Sequence, residues 1–260
     1  MCPHCRAFIT TDDRVCPYCD TEVGMRAVDR RMATDAMAGV IQGDQFITFV
    51  LVLINVGIYI ATAMDDRGLM YLAGQKNGVL IFRNLEWWRL ITAGYLHGGL
   101  LHIGMNMYAL FNLGPQIDAV FGTNRYITIY TVSTLTGFLL SAYWAPFVPS
   151  VGASAAICGL VGAIIGVGMR EKNTVLARES KRFIPVAVMV LAQGFLLPLP
   201  IDNAAHIGGF LGGMATAYVA GTRGHARGED GLWKTLALVC VGVTIYAFFK
   251  MAALLMAVRA

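Results

Sequence analysis

Long apolar runs constrain this chain more than any other feature of its sequence. A helix needs about 20 predominantly apolar residues to cross a bilayer. Only 14% of the residues are charged, whereas an average soluble domain has about 25%. The pattern predicts an all-α polytopic membrane protein, a bundle of about seven transmembrane helices. The predicted spans are 46–64, 94–113, 126–145, 154–169, 183–199, 204–222 and 232–256.

The basic residues predict the orientation of these spans. With the N-terminus in the cytoplasm, most of the 20 Lys and Arg residues fall in cytoplasmic segments, as the positive-inside rule requires, and the C-terminus lies outside. The first 45 residues are polar, so the first span is expected to act as its own insertion signal. Because topology accounts for the basic clusters, no nucleic-acid partner is expected. The predicted cytoplasmic segments are 1–45, 114–125, 170–182 and 223–234.

Two Cys-x-x-Cys pairs stand near the N-terminus. Their residues are Cys2, Cys5, Cys16 and Cys19. This spacing is typical of a compact tetrahedral zinc site, and a reducing cytoplasm disfavours disulfides. Two alternatives to a zinc site with four cysteine ligands are a redox role for one pair and a site in which His4 replaces one thiolate. We predict a structural zinc in a small zinc-ribbon-like module over 1–22, followed by a charged linker over 23–45.

A serine among small residues marks the start of the fourth apolar run. Ser154 follows Gly152-Ala153, and a serine hydroxyl is a weak nucleophile until a base accepts its proton. The candidate base is His206, near the start of the sixth run, because ionisable groups in transmembrane segments are functional candidates. The alternative is that Ser154 only caps a helix and His206 only faces a neighbouring helix.

Small residues recur on the helix faces below the serine and the histidine. Cys158 and Gly162 follow the serine at i+4 and i+8, and Gly209 and Gly213 follow the histidine at i+3 and i+7. Small-xxx-small patterns let two helix backbones approach closely, which would bring the hydroxyl within reach of the imidazole. Ordinary membrane packing would use the same glycines.

The second apolar run carries His97, His102 and Asn106. His102 and Asn106 are four residues apart and share a helix face, whereas His97 points elsewhere. Such polar groups can join helices by hydrogen bonds, ligate a metal, or stabilise an oxyanion together with the Ser154 N–H. The predicted topology places four residues in the outer half of their spans, with Asn106 somewhat deeper: His97, His102, Ser154 and His206. They are therefore expected to converge on one cavity open to water.

Acidic residues fall outside the predicted spans or at their ends, so no buried carboxylate is expected beside His206. Asp202, four residues before His206, is predicted to cap the helix, with an orienting role for His206 as the alternative. The predicted mechanism is therefore a Ser-His dyad.

Taken together, these motifs resemble the rhomboid intramembrane serine proteases. The resemblance covers about residues 45–222 and implies a rhomboid-type bundle of the six-plus-one kind. That bundle has a six-helix protease core over 46–222, then a cytoplasmic loop and an additional helix over 223–260. The resemblance rests on Trp88-Arg89, on His97, His102 and Asn106 as H-x4-H-x3-N, on Gly152-Ala153-Ser154, and on Ala205-His206-Ile207-Gly208-Gly209.

The resemblance implies an endopeptidase that cleaves single-pass transmembrane protein substrates near the outer face of the lipid bilayer. Ser154 would attack the peptide carbonyl, and His206 would act as general base and then as general acid. His102, Asn106 and the Ser154 N–H would form the oxyanion hole, and catalysis would require no cofactor. The segment 147–150 would cap the site. Because the short chain shows no arginine-rich leader, we expect it to lie in a prokaryotic plasma (inner) membrane.

Two positions depart from the family's pattern. Ala155 stands where the family usually has glycine, and its methyl group is expected beside the oxyanion hole. Cys158 stands where many members place an aromatic ring against the histidine. The alternative function is a non-catalytic rhomboid-like protein that binds transmembrane helices. A metal-ion transporter using the histidines is a further alternative, disfavoured because hard cations need carboxylates.

Overall fold

A computed structural model describes residues 2, 4–8, 15–22, 45–172, 174–196, 200–222 and 229–259. These residues belong to two compact units, Met1–Gly43 and Asp44–Ala260. Except for Gln45, the predicted linker 23–45 lies outside the described residues, and so does the segment 223–228 of the predicted cytoplasmic loop.

The N-terminal unit contains two short turns with the same construction. In each turn the N–H of the first cysteine donates to the carbonyl five residues later, at 2.9 Å. The residue after each Cys-x-x-Cys pair has a positive φ, 59° at Arg6 and 54° at Asp20. A positive φ is uncommon for residues other than glycine, so the two turns share an unusual backbone conformation directly after their second cysteine.

The larger unit is helical, and apart from one isolated bridge between Lys76 and Ser150 its described residues form no β-pairing. A 3-10 turn over Ala93–Tyr95 follows α4. The helices are α1 Phe46–Ala63, α2 Leu69–Gly74, α3 Gly78–Arg83, α4 Arg89–Thr92, α5 Leu100–Phe121, α6 Thr123–Trp144, α7 Ser154–Arg170, α8 Val175–Ser180, α9 Phe183–Leu196, α10 Asn203–Ala220 and α11 Glu229–Arg259.

Two of the described helices are long and apolar enough to cross a membrane by length and composition alone. They are α1, with a mean hydropathy of 2.3, and the segment Gly231–Val258 of α11, with a mean hydropathy of 2.1. Helices α7 and α9 are shorter, with 17 and 14 residues, and α5, α6 and α10 carry more glycine and polar residues, which lowers their hydropathy.

The predicted second span, 94–113, begins too early. After the 3-10 turn the chain is extended at Leu96 and again at Gly99, so α5 starts only at Leu100. His97 therefore lies in the loop before the helix rather than within the span. The apolar run continues through this break, which is why hydropathy alone did not reveal it.

The helix that carries this span continues past the predicted end of the span, through Pro115 to Phe121. Proline removes one backbone hydrogen bond, but membrane helices tolerate it where neighbouring groups compensate. The predicted cytoplasmic segment 114–125 is helical except at Gly122, whose φ of 76° suits glycine. Arg125, expected in that loop, is buried in α6 and lies over the Trp233 ring of α11 at 5.4 Å.

Helix α7 is the centre of the larger unit and packs most extensively on α10 and α6. Glycines bring the backbones of α7 and α10 into direct contact. A Cβ on Gly209 would meet the Ala155 carbonyl oxygen, and a Cβ on Gly213 would meet the Gly159 carbonyl oxygen. This is the close approach that the small-residue spacing predicts. It fixes the first turns of α7 and α10 beside each other.

Candidate functional site

Ser154 and His206 meet where α7 and α10 begin. Ser154 is the first residue of α7, and His206 lies in the first turn of α10. The Nε2 atom of His206 is 2.8 Å from the Ser154 hydroxyl oxygen. His206 is only 7% exposed, while Ser154 is half-buried. The geometry permits proton transfer between the two side chains, and the hydroxyl remains accessible.

Asp202 caps the helix that carries the histidine. One carboxylate oxygen accepts from the Ala205 N–H at 2.9 Å, so the predicted N-cap is confirmed. The other oxygen is hydrogen-bonded to the Ser141 hydroxyl of α6. The Nδ1 atom of His206 is buried and makes no hydrogen bond to any group the structure describes. The carboxylate therefore supports the helix and does not hold the imidazole.

Gly152 separates the Ser154 hydroxyl from His102. Its φ is 132°, and a Cβ at this position would lie 2.7 Å from His102 Nε2 and 3.6 Å from the Ser154 hydroxyl oxygen. Both side chains therefore face the same side of Gly152, and the lack of a side chain there leaves the space between them open. Only glycine satisfies both the backbone conformation and this space.

His97 and Asn106 lie on either side of His102 along the chain. His97 is 3% exposed, its Nε2 atom accepts from the Ala153 N–H at 3.5 Å, and its ring contacts that of His102 with centroids 5.2 Å apart. Asn106 is 6% exposed, and its amide donates to the His102 carbonyl at 3.1 Å. The structure thus brings His97 and His102 next to the start of α7, and Asn106 is bonded to the backbone of His102.

The Ala155 methyl group does not lie where the sequence led us to expect it. Ala155 is 1% exposed, and a Cβ on Gly137 of α6 would lie 2.8 Å from the Ala155 Cβ. The methyl group therefore packs between helices rather than beside the oxyanion hole, and Gly137 provides the space for it. Cys158 is buried in α7, one turn after the serine.

The loop between α1 and α5 is held by a buried arginine. Arg89 donates to Glu86, three residues before it, at 2.6 Å, and to the carbonyls of Leu72 and Gln75. Arg89 is 3% exposed. The charged guanidinium is buried together with several hydrogen-bond acceptors. Because these acceptors come from different parts of the loop, Arg89 connects its short helices.

Lys76 is a buried residue in the same loop that sequence reasoning missed. Its side chain is fully buried, and its Nζ atom donates to the carbonyls of Ala145 at 3.0 Å and Val148 at 2.6 Å. These carbonyls belong to the segment between α6 and α7. In the sequence, a lysine within the polar run Gln75-Lys76-Asn77 looks like an ordinary loop residue, so no local signal indicated its burial.

The four N-terminal cysteines lie close together. Their sulfur atoms are all within 4.8 Å of one another, and Cys2–Cys19 and Cys5–Cys16 are each 3.6 Å apart. A tetrahedral zinc with about 2.3 Å bonds to sulfur would hold its ligands about 3.8 Å apart. The group of possible ligands includes these four residues and not His4. The donor set therefore fits a zinc ion.

In a comparison with known protein families, residues 84–223 match the Rhomboid domain. These residues are more than half of the chain and include Ser154, His206, His97, His102 and Asn106.

Several curated proteins resemble the chain. Rhomboid protease GluP of Bacillus subtilis (strain 168) is 33% identical over 177 residues, covering 68% of this chain and 33% of that protein. Rhomboid-like protease 3 of Toxoplasma gondii is 33% identical over 158 residues, covering 58% and 57%. Inactive RHOMBOID-like protein 8 of Arabidopsis thaliana is 34% identical over 130 residues, covering 49% and 36%. In each case the match spans less than two thirds of the relative's length.

Proposed function

Because the chain belongs to the rhomboid family, we propose that it is an active intramembrane serine endopeptidase. The family is embedded in membranes and acts on membrane proteins, and it includes both serine intramembrane proteases and inactive members. The observation that carries the proposal is the 2.8 Å contact between His206 Nε2 and the Ser154 hydroxyl. A nucleophile and a base at this distance are the minimum that covalent peptide hydrolysis requires.

The reaction proceeds through an acyl-enzyme. The Ser154 oxygen attacks the peptide carbonyl carbon while His206 Nε2 accepts the hydroxyl proton. His206 then donates that proton to the leaving amine, and the peptide bond breaks. Water, deprotonated by His206, hydrolyses the ester and restores the serine. Because His206 Nδ1 makes no hydrogen bond to a described residue, the unit is a dyad, with the imidazole held by packing.

The negative charge of the tetrahedral intermediate is stabilised at the start of α7. The first N–H groups of a helix have no partner within the helix, so the Ser154 N–H is an available donor, and the helix dipole favours an anion there. His102 faces the same space across Gly152. The Asn106 amide carries a second hydrogen besides the one donated to the His102 carbonyl. His97 supports these donors through the Ala153 N–H.

The substrate is a single-pass transmembrane protein, cut near the outer face of a prokaryotic plasma membrane. The helical bundle of the protease itself crosses this membrane seven times. The basic residues support a cytoplasmic N-terminus and an outer C-terminus. The starts of α5, α7 and α10 meet at the site, and this end corresponds to the outer face in that topology. A substrate helix must unwind there, because a helical backbone hides its carbonyls in hydrogen bonds.

The second candidate function is a non-catalytic protein that binds transmembrane helices, and it is favoured by the relative named as inactive. A fluorophosphonate probe distinguishes the two functions, because it reacts with an activated serine. We expect covalent labelling at Ser154, located by mass spectrometry of the labelled peptide, and no labelling of Ser154→Ala. Folded wild-type protein that remains unlabelled and leaves a single-pass transmembrane peptide uncut would favour the binding function.

We further propose that the N-terminal cysteines hold a structural zinc. The ion would be bound by Cys2, Cys5, Cys16 and Cys19, would order the N-terminal unit, and would take no part in peptide hydrolysis.

For this site we expect about one zinc per purified chain and loss of the metal in Cys2→Ser or Cys16→Ser, measured by elemental mass spectrometry. Cys240→Ser, which changes a cysteine of α11 outside the cluster, should keep the metal. Metal-free protein with redox-active thiols would instead support the redox alternative.

A further inference from the structure

Lys76 brings a positive charge into the interior next to the site. An ammonium group has three hydrogens to donate, and burying it is unfavourable unless acceptors satisfy them. Here the carbonyls of Ala145 and Val148 supply two acceptors. Both lie in residues 145–152, which connect α6 to the nucleophile's helix and which we call the cap segment. The lysine therefore holds a loop that is otherwise exposed, as at Phe147.

The backbone around Lys76 binds the same segment. The Lys76 N–H donates to the Ser150 carbonyl at 2.9 Å, and the Ser150 N–H donates back at 3.3 Å. Two residues later the Gly78 N–H donates to the Pro146 carbonyl at 3.0 Å. A Cβ on Gly78 would lie 2.6 Å from the Pro146 Cα, so the two chains are in close contact. The cap segment thus lies along residues 76–78.

The last residue of the cap segment, Gly152, touches the site. Its N–H donates to the Ala93 carbonyl at 2.9 Å, and it stands between His102 and the Ser154 hydroxyl. Because only Val151 separates Ser150 from Gly152, a displacement of Ser150 would also displace Gly152. Since a displacement of 1 Å can lower a catalytic rate by about 100-fold, the position of the cap segment matters for the chemistry.

The charge of Lys76 is also influenced by the carboxylate that caps the histidine's helix. Burial lowers the pKa of Lys76 from its ordinary value, and the Asp202 carboxylate raises it. Asp202 caps α10 and is hydrogen-bonded to Ser141 of α6. Lys76 therefore contacts the cap segment directly, and the Asp202 carboxylate favours its charged form.

We propose that Lys76 is a positioning residue, whose ammonium group fixes the cap segment so that Gly152 and the oxyanion donors keep their place beside Ser154. This inference rests on the proposed function, and it concerns the rate of the chemical step rather than substrate binding.

Lys76→Met, which keeps most of the length of the side chain and removes the charge, tests the inference in full-length protein in proteoliposomes. We expect the rate of fluorophosphonate labelling and the kcat for a fluorogenic single-pass transmembrane peptide to fall about 10- to 100-fold, with little change in KM. Lys76→Arg, which restores donors to both carbonyls, should recover most of the kcat. If Lys76→Met does not fold, Lys76→Gln, which keeps one amide donor, should show the same split with a smaller loss.

The matched control is Thr48→Val, which removes a buried hydrogen bond to Tyr126 between the starts of α1 and α6. It should lower the melting temperature and leave kcat unchanged. The inference is overturned if folded Lys76→Met reacts at the wild-type rate, or if its lost activity follows its melting temperature as in the control. The proposed function fails separately, if wild-type protein neither labels nor cleaves, and the inference then fails with it.

Discussion

Ser154→Ala and His206→Ala should each lower kcat for a transmembrane peptide by roughly 10⁴-fold or more, and the double variant should be no slower than the worse single variant. The reason is that the two side chains act as one unit through the 2.8 Å contact. Without the base the hydroxyl keeps its proton, and without the hydroxyl the base has nothing to activate. Single-turnover cleavage in proteoliposomes measures all three rates.

Cys158→Ala is the matched control for this pair, because Cys158 is buried one turn below Ser154 and no step is assigned to it. It should keep kcat within about tenfold of wild type, since a small buried change near the site shifts packing only slightly. If the two losses multiply in the double variant, the residues act independently and the dyad is wrong. Labelling at another serine would point to a different nucleophile.

The second large effect concerns stability, at the contact of α7 and α10. Gly209→Ala should destabilise the folded protein by about 3 kcal/mol, the upper end for overpacking, because the new methyl group would collide with the backbone carbonyl of Ala155. Backbone cannot move aside as a flexible side chain can, so the helices must separate. Separation also pulls His206 from Ser154, and we expect kcat to fall in protein that remains folded. Thermal unfolding in one lipid or detergent measures the stability change.

Gly242→Ala in α11 is the control for Gly209→Ala. A Cβ there would meet no atom within 4 Å, so the same chemical change should be neutral or slightly stabilising through helix propensity. Equal melting temperatures for the two variants would mean that α7 and α10 are not in backbone contact.

The contact between Ser154 and His206 could be predicted because its signals are local. A serine in a small-residue run and a histidine above spaced glycines are unusual within apolar segments. The same spacing predicted the packing of the two helices, and the position of Asp202 predicted its cap. Each inference needed only the periodicity of one helix and the polarity of one side chain.

Other features depend on the whole fold, and their sequence carries no comparable signal. Lys76 is buried because two distant carbonyls accept from it, and a loop sequence cannot indicate that. Pro115 looks like a helix end, but α5 continues through it to Phe121. The Ala155 methyl group fits because Gly137 on another helix is small. These are properties of pairs of elements rather than of single segments.

The glycine contact between α7 and α10 has a consequence for the energetics of turnover. Since the two backbones touch, the hydroxyl and the imidazole are aligned once, during folding, before any substrate arrives. Binding energy is then not needed to assemble the reacting groups, and it remains for drawing a peptide out of its helix and into water. A protease built in this way would be ready in its resting state, and its selectivity would depend on how easily each incoming segment gives up its own hydrogen bonds.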